Sequence, residues 1–216
     1  MLKIKTKKAI IWDWNGTLLN DIDICIECMN MLLHRRGLSI LNLKKYKQIF
    51  TFPVKDYYEK AGFDFSIEPF EKPATEFINL YHQYLLNAGL FPCVDEILSF
   101  IKNKGLNQSV LSAMEHNSLI KSLNDNDIAG YFDEISGIDN HYAHSKLENG
   151  RDLMKRINMP GKDIMLIGDS LHDLEVAETL GIDCLLIANG HQSKERLLEK
   201  TSDVLDRLKE VIPLFG

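Results

Sequence analysis

Positive charge is in short supply in this chain: 25 Lys and Arg stand against 31 Asp and Glu, for a net charge of −6. A protein that tracks a nucleic-acid backbone needs a basic stripe, so no nucleic-acid partner is expected. Cysteine is sparse as well, with Cys25 and Cys28 forming a lone Cys-x-x-Cys and Cys93 and Cys184 far off. This spacing builds neither a disulfide framework nor a zinc ribbon, and it predicts ordinary buried thiols. No apolar run approaches the length that spans a bilayer. Met1 to Lys8 is basic but leads into an apolar stretch too short for a signal peptide. The expectation is a soluble, cytoplasmic protein with no membrane partner; no pattern specifies an oligomeric state. There is also no internal repeat and no low-complexity stretch. What remains, 216 residues of which 45% are apolar, suffices for one core with a sizeable insertion.

Five short apolar runs recur with helical patterns between them: Ala9 to Trp14, Gln108 to Leu111, Phe132 to Ser136, Ile164 to Ile167 and Cys184 to Ile187. They read as parallel strands. Val94 to Lys104 and Leu171 to Leu180 carry apolar residues at helical spacing and stop at Gly105 and Gly181. Alternation of this kind predicts an α/β fold, a doubly wound parallel sheet. The rhythm fails between Gly16 and Leu90, where helix-like segments dominate: Asp21 to Arg36, Leu43 to Phe50, Pro53 to Lys60 and Ile67 to Ala88. We therefore expect a core from residues 1–19 and 90–216, with an all-helical insertion over 20–89. The tail after Ser193 reads as amphipathic helix around a short segment near Asp203 and Val204, and carries no chemistry.

Ligands of open α/β sheets bind beyond the carboxyl ends of the strands. Here the first run ends in Asp13 within Asp-Trp-Asn-Gly-Thr, the second in Ser112, and the fourth in Gly168-Asp169-Ser170, with Asp173 one turn further on. Any one of these could simply cap a helix, Ser112 for a segment starting at Met114 included. Asp13 and Asp169 are harder to dismiss, because each follows an apolar run and is costly to bury without a cation or donors. Two such acids, at the ends of strands that could lie side by side, suggest one shared ion. Oxygen ligands point to magnesium, whereas zinc would want His or Cys, and none is expected near.

These spaced elements, Asp13 to Thr17, Ser112, Lys146 and Gly168 to Asp173, resemble the signature of haloacid dehalogenase superfamily phosphatases. The likeness is to the phosphoglycolate phosphatase-like branch, whose Rossmann-like core carries a helical cap inserted after the first strand. The resemblance implies Asp13 as a nucleophile forming an aspartyl-phosphate on a small phosphorylated metabolite, with Mg²⁺ held by Asp13, Asp169, Asp173 and the main-chain carbonyl of Asn15. It implies Ser112 and Ala113 as phosphate contacts, and Lys146 as the cation joining nucleophile to phosphate. The family's Lys-Pro is Lys-Leu here, so a surface lysine is the alternative. The stretch Phe52 to Tyr58 resembles the branch's caps, with Lys55 either meeting a substrate carboxylate or lying solvated on a helix.

One departure matters. The resemblance implies an acid two residues after the nucleophile, and this chain has Asn15, whose amide cannot shuttle protons near neutral pH. A slow enzyme, a substrate with a good leaving group, or a substitute such as His172 would each accommodate it, as would a catalytically weak regulatory or phosphate-binding protein. The pair Asp169 and Asp173 argues against a metal-free dehalogenase, and Asn15 against a phosphosugar mutase. Arg35 and Arg36 read as a solvated helix end. His141 and His144 read as a loop, because no carboxylate completes a metal pair.

Overall fold

The computed structural model describes residues 4–138 and 146–215, so His141 and His144 lie outside the described residues. In chain order the elements are β1 (Ala9–Trp12), β2 (Leu19–Asn20), α1 (Ile22–Arg35), α2 (Leu43–Ile49), α3 (Val54–Ala61), α4 (Glu71–Tyr84), β3 (Gly89–Leu90) and α5 (Val94–Asn103). They continue as β4 (Asn107–Glu115), α6 (His116–Asp125), β5 (Glu134–Ile138), α7 (Lys146–Ile157), β6 (Ile164–Gly168), α8 (Leu171–Leu180), β7 (Asp183–Ile187), α9 (Lys194–Leu198) and β8 (Val204–Leu205).

Six strands form one parallel sheet in the order β5-β4-β1-β6-β7-β8. β1 is central and buried along its whole length, which is why its sequence is a continuous apolar run rather than an alternation. The period of two still operates, but it sorts residues between two cores. Ile10 and Trp12 pack on one face with Val110, Met165 and Ile167, while Ala9 and Ile11 pack on the other with Leu111, Ile164 and Leu166. The strand order reverses about β1, with β4 on one flank and β6 on the other, and such a switch point opens a crevice at the carboxyl edge. β8 is a sixth strand beyond the five apolar runs, too short to register as one.

Between β2 and β3 the chain forms α1 to α4, and β2 and β3 pair antiparallel where it leaves and returns. α1 buries Ile22, Cys25, Met29, Leu32 and Leu33, a helical stripe. Arg36, expected in solvent, is instead half-buried and pairs with Glu68 and with Glu76 of α4. Cys93 also departs from expectation: it is exposed, while Cys25, Cys28 and Cys184 are buried. The carboxyl end of α2 docks on the main body. Arg196 donates to the carbonyls of Lys47 (3.1 Å) and Phe50 (2.6 Å), and Gln192 donates to that of Phe50 at 3.1 Å. These bonds satisfy carbonyls that a helix terminus leaves orphaned, and they hold the insertion over the end of β7. No helix among the described residues is long and apolar enough to cross a membrane.

Candidate active site

β1 and β6 run in parallel register, Trp12 beside Ile167, so the residues that follow them emerge together. The Asp13 amide donates to the Ile167 carbonyl at 2.9 Å, which fixes where its side chain begins. Carboxylate oxygens of Asp13, Asp169 and Asp173 all lie within 4.8 Å of one another. Lys146, the first residue of α7, joins this cluster. Its ammonium pairs with Asp13 and, at 2.6 Å, with Asp173. It is 5% exposed, which disposes of the surface-lysine alternative. The other Asp13 oxygen accepts from the Thr17 hydroxyl at 3.0 Å.

Asp173 is spoken for on both sides. One oxygen meets Lys146, and the other accepts from the Ser170 hydroxyl (2.6 Å), the Ser170 amide (3.0 Å) and the Asp169 amide (3.3 Å). It therefore orients the lysine and the loop that presents Asp169. Glycines make the room. A Cβ at Gly168 would collide with Asp173, and one at Gly16 or Gly190 would collide with Asp169; Gly16 also has φ +76°, a conformation that favours glycine.

Three buried carboxylates against one ammonium leave two formal negative charges in a buried site. The strain shows in acidity: burial lifts Asp169 to about 7, reinforced by Asp13 and Asp173. Burial likewise lifts Asp13 to about 6, against the pull of Lys146. Asp173, though buried, is held below its ordinary value by Lys146 and Ser170. Burial opposes the charge on Lys146, but the two aspartates beside it win and raise its pKa. A hard divalent cation among these oxygens would neutralise the excess and return Asp13 and Asp169 to the ionised form, so the donor set fits magnesium.

Asn15 is locked. Its amide nitrogen donates to Asp21 at 2.9 Å and to the Tyr81 hydroxyl at 2.7 Å, and its oxygen lies 3.4 Å from the Ser112 hydroxyl. Asp21 is the hub of a second network that sequence reasoning missed. It also accepts from Tyr81 (2.7 Å) and the Gly16 amide (3.0 Å), and faces His191 Nε2 at 3.3 Å. The His191 backbone amide in turn donates to Asp169. Burial pushes the His191 imidazole down, but Asp21 and the nearby acids overcome it and raise it to about 9. Burial acts on Asp21 in the opposite sense to His191, and the ion pair prevails, keeping its pKa low.

Asp21, Cys25 and His191 form a compact group of possible ligands, which corrects the expectation that neither His nor Cys is near. The signal was available: Ala188 to His191 follow the fifth apolar run, and the strand-end rule applies to it as to the others. Asp21 gave no such signal, reading only as the start of a helix.

Asp13, Asn15, Ser112, Ala113, Lys146, Asp169, His172 and Asp173 all line one cavity of about 290 Å³, to which the insertion also contributes. Ser112 is no helix cap. That role falls to Glu115, whose carboxylate accepts from the Asn117 and Ser118 amides, while the Ser112 hydroxyl accepts from the Met114 amide at 3.0 Å. His172 is half-buried and stacks on Phe52, ring centroids 4.6 Å apart, with burial and Lys146 lowering its pKa. Lys55 does not belong to the cavity wall. It follows Val54, which does line the cavity, and turns outward with its ammonium 5.6 Å from the Phe65 ring.

A doubly wound sheet with a paired lysine and a carboxylate cluster at its carboxyl edge, under a helical insertion, defines an α/β enzyme equipped for an anion and a cation together. Residues 10–187 match the haloacid dehalogenase-like hydrolase family, and the chain belongs to it. Phosphoglycolate phosphatases from Pseudomonas savastanoi pv. phaseolicola (20% identical, 97% of this chain and 80% of that protein) and Nitrosococcus oceani (22%, covering 99% and 98%) are similar throughout. These place the protein among phosphatases, in the phosphoglycolate phosphatase-like branch. The fold matches that of a haloacid dehalogenase-like family hydrolase from Streptococcus pneumoniae, with TM-score 0.82 at 19% identity over 98% of this chain and 99% of that one.

Proposed function

We propose that the protein hydrolyses a small phosphomonoester in the cytoplasm, phosphoglycolate-like or a sugar phosphate on the branch's precedent, through an aspartyl-phosphate on Asp13 with Mg²⁺ bound. The observation that carries this reading is the convergence of Asp13, Asp169, Asp173 and Lys146, three acids and one cation buried at one point. Asp13, Asp169 and the Asn15 main-chain carbonyl would hold the ion, with Asp173 in support. When bound, it supplies charge neutralisation between carboxylate and phosphate.

The chain's own groups do the rest. An Asp13 oxygen attacks phosphorus in line while the bond to the substrate oxygen breaks; water then attacks the same phosphorus, the bond to the Asp13 oxygen breaks to restore the carboxylate, and the water's proton passes to solvent. Lys146 holds the nucleophile ionised and draws the phosphoryl oxygens toward it, and Ser112 and the Ala113 region contact those oxygens. Residues 20–89 act as a cap that excludes water. Asp13→Asn should abolish activity while leaving the fold intact; surviving activity would end the mechanism. A second reading, a phosphate-binding regulator with little turnover, is favoured by Asn15 alone, and persistent phosphorylation of Asp13 without phosphate release would support it.

A further inference from the structure

We infer that the preferred substrate is the phosphate ester of an aromatic hydroxyl, not of an aliphatic alcohol. The inference rests on Asp13 as phosphoryl acceptor, deepens that reading by naming the leaving group, and sets an aryl ester in place of the aliphatic esters taken from the branch's precedent. Two independent features carry it.

The first is the wall facing the acids. The insertion contributes Phe50, Phe52, Tyr57, Tyr58, Phe77 and Tyr81 to the cavity. Two ring pairs on this wall lie near parallel: Phe52 with His172 at 26°, and Phe77 with Tyr81 at 12° with centroids 6.0 Å apart. Offset stacking on such surfaces favours a planar ring beyond its apolar area. By contrast, Lys146 is the only Lys or Arg lining the cavity among the described residues, and its ammonium is already engaged by two aspartates. A glycolyl carboxylate would enter an aromatic enclosure with no free Lys or Arg to meet it, and the His191 imidazole on the wall is already paired with Asp21. The Tyr57 hydroxyl, buried and without a hydrogen-bond partner, offers a donor to an acceptor on the ring.

The second is Asn15. When Asp13 bonds to phosphorus and the phosphorus–oxygen bond breaks, the electron pair leaves on the substrate oxygen. An alkoxide then needs a proton in the transition state, and Asn15 has none to give. A phenol, with a pKa of about 10, leaves as phenolate and takes its proton later from solvent. The amide is no obstacle to this first transfer, whereas for an aliphatic ester it forfeits roughly two to four powers of ten; the later loss of a proton from the attacking water is common to both substrates and does not discriminate between them.

The test compares phenyl phosphate, phosphoglycolate and acetyl phosphate with Mg²⁺, on wild type and on Phe52→Leu and Phe77→Leu, each checked by thermal melting for retention of fold. We expect kcat/KM for phenyl phosphate to exceed that for phosphoglycolate by about a hundredfold or more. Acetyl phosphate has a good leaving group and no ring, so the phenyl-to-acetyl ratio should fall about two- to tenfold in either variant. Phosphoglycolate turning over as fast as phenyl phosphate would overturn the inference while leaving Asp13 its role. An unchanged phenyl-to-acetyl ratio in both variants would overturn the aromatic selectivity. If none of the three esters were hydrolysed and Asp13 stayed unmodified, the underlying phosphatase reading would fall first.

Discussion

Asn15→Asp is the most informative single substitution. The amide it removes donates to Asp21 at 2.9 Å and to Tyr81 at 2.7 Å, so the new carboxyl faces an acid at hydrogen-bond distance. Two carboxyls so placed resist ionising together, and because the His191 imidazolium keeps Asp21 ionised, the proton is retained by the new carboxyl. That proton is available to an aliphatic leaving group. The expected gain in kcat/KM for phosphoglycolate is about 10²- to 10⁴-fold, or roughly 3–5 kcal/mol of barrier, with little change for phenyl phosphate. Stability moves the other way. Losing a donor to a buried charged acceptor costs about 1–3 kcal/mol, and each kcal/mol lowers Tm by about 2–4 °C in a chain of this size. Initial rates on both esters at saturating Mg²⁺, with melting curves alongside, measure both effects. Equal acceleration of the two esters, or of neither, would refute the reasoning.

Other perturbations follow from the same geometry. Lys146→Met leaves Asp13 and Asp173 buried without their ammonium. Activity should fall at least about a hundredfold, and metal-free stability by about 3–5 kcal/mol in denaturant titrations; an unaltered midpoint would contradict the pairing. Gly190→Ala pushes a methyl group into the Asp169 carboxylate, and calorimetric Mg²⁺ affinity should drop about 10- to 100-fold. The His191–Asp21 pair makes stability depend on pH. Because the folded imidazole titrates at about 9, above its ordinary 6.5, its contribution is complete below about pH 6.5 and is lost as pH rises through 9. That loss is roughly 3 kcal/mol, and His191→Gln should flatten the Tm profile across this window.

Most of the sheet could be read from the chain because β1, β6 and β7 are buried on both faces and appear as unbroken apolar runs. β8 could not, since two residues carry no period. The same distinction governs the site. Asp13 and Asp169 stand out because each interrupts or ends an apolar run, and β1 and β6 being neighbours brings them together. Asp21 and His191 act at long range, joining the first residue before α1 to the turn after β7, and no local pattern records that pairing. Lys55 failed for a rotational reason: Val54 faces the cavity, and the next helical position, about 100° round, does not.

The central claim, that Asp13 accepts the phosphoryl group beside a bound cation, is tested most directly by acid-quenching the enzyme during turnover of phenyl phosphate and locating modified peptides by mass spectrometry. Phosphate on Asp13, formed with Mg²⁺ and absent after chelation, is the predicted result. Turnover with no phosphate on Asp13, or undiminished by chelation, would contradict it.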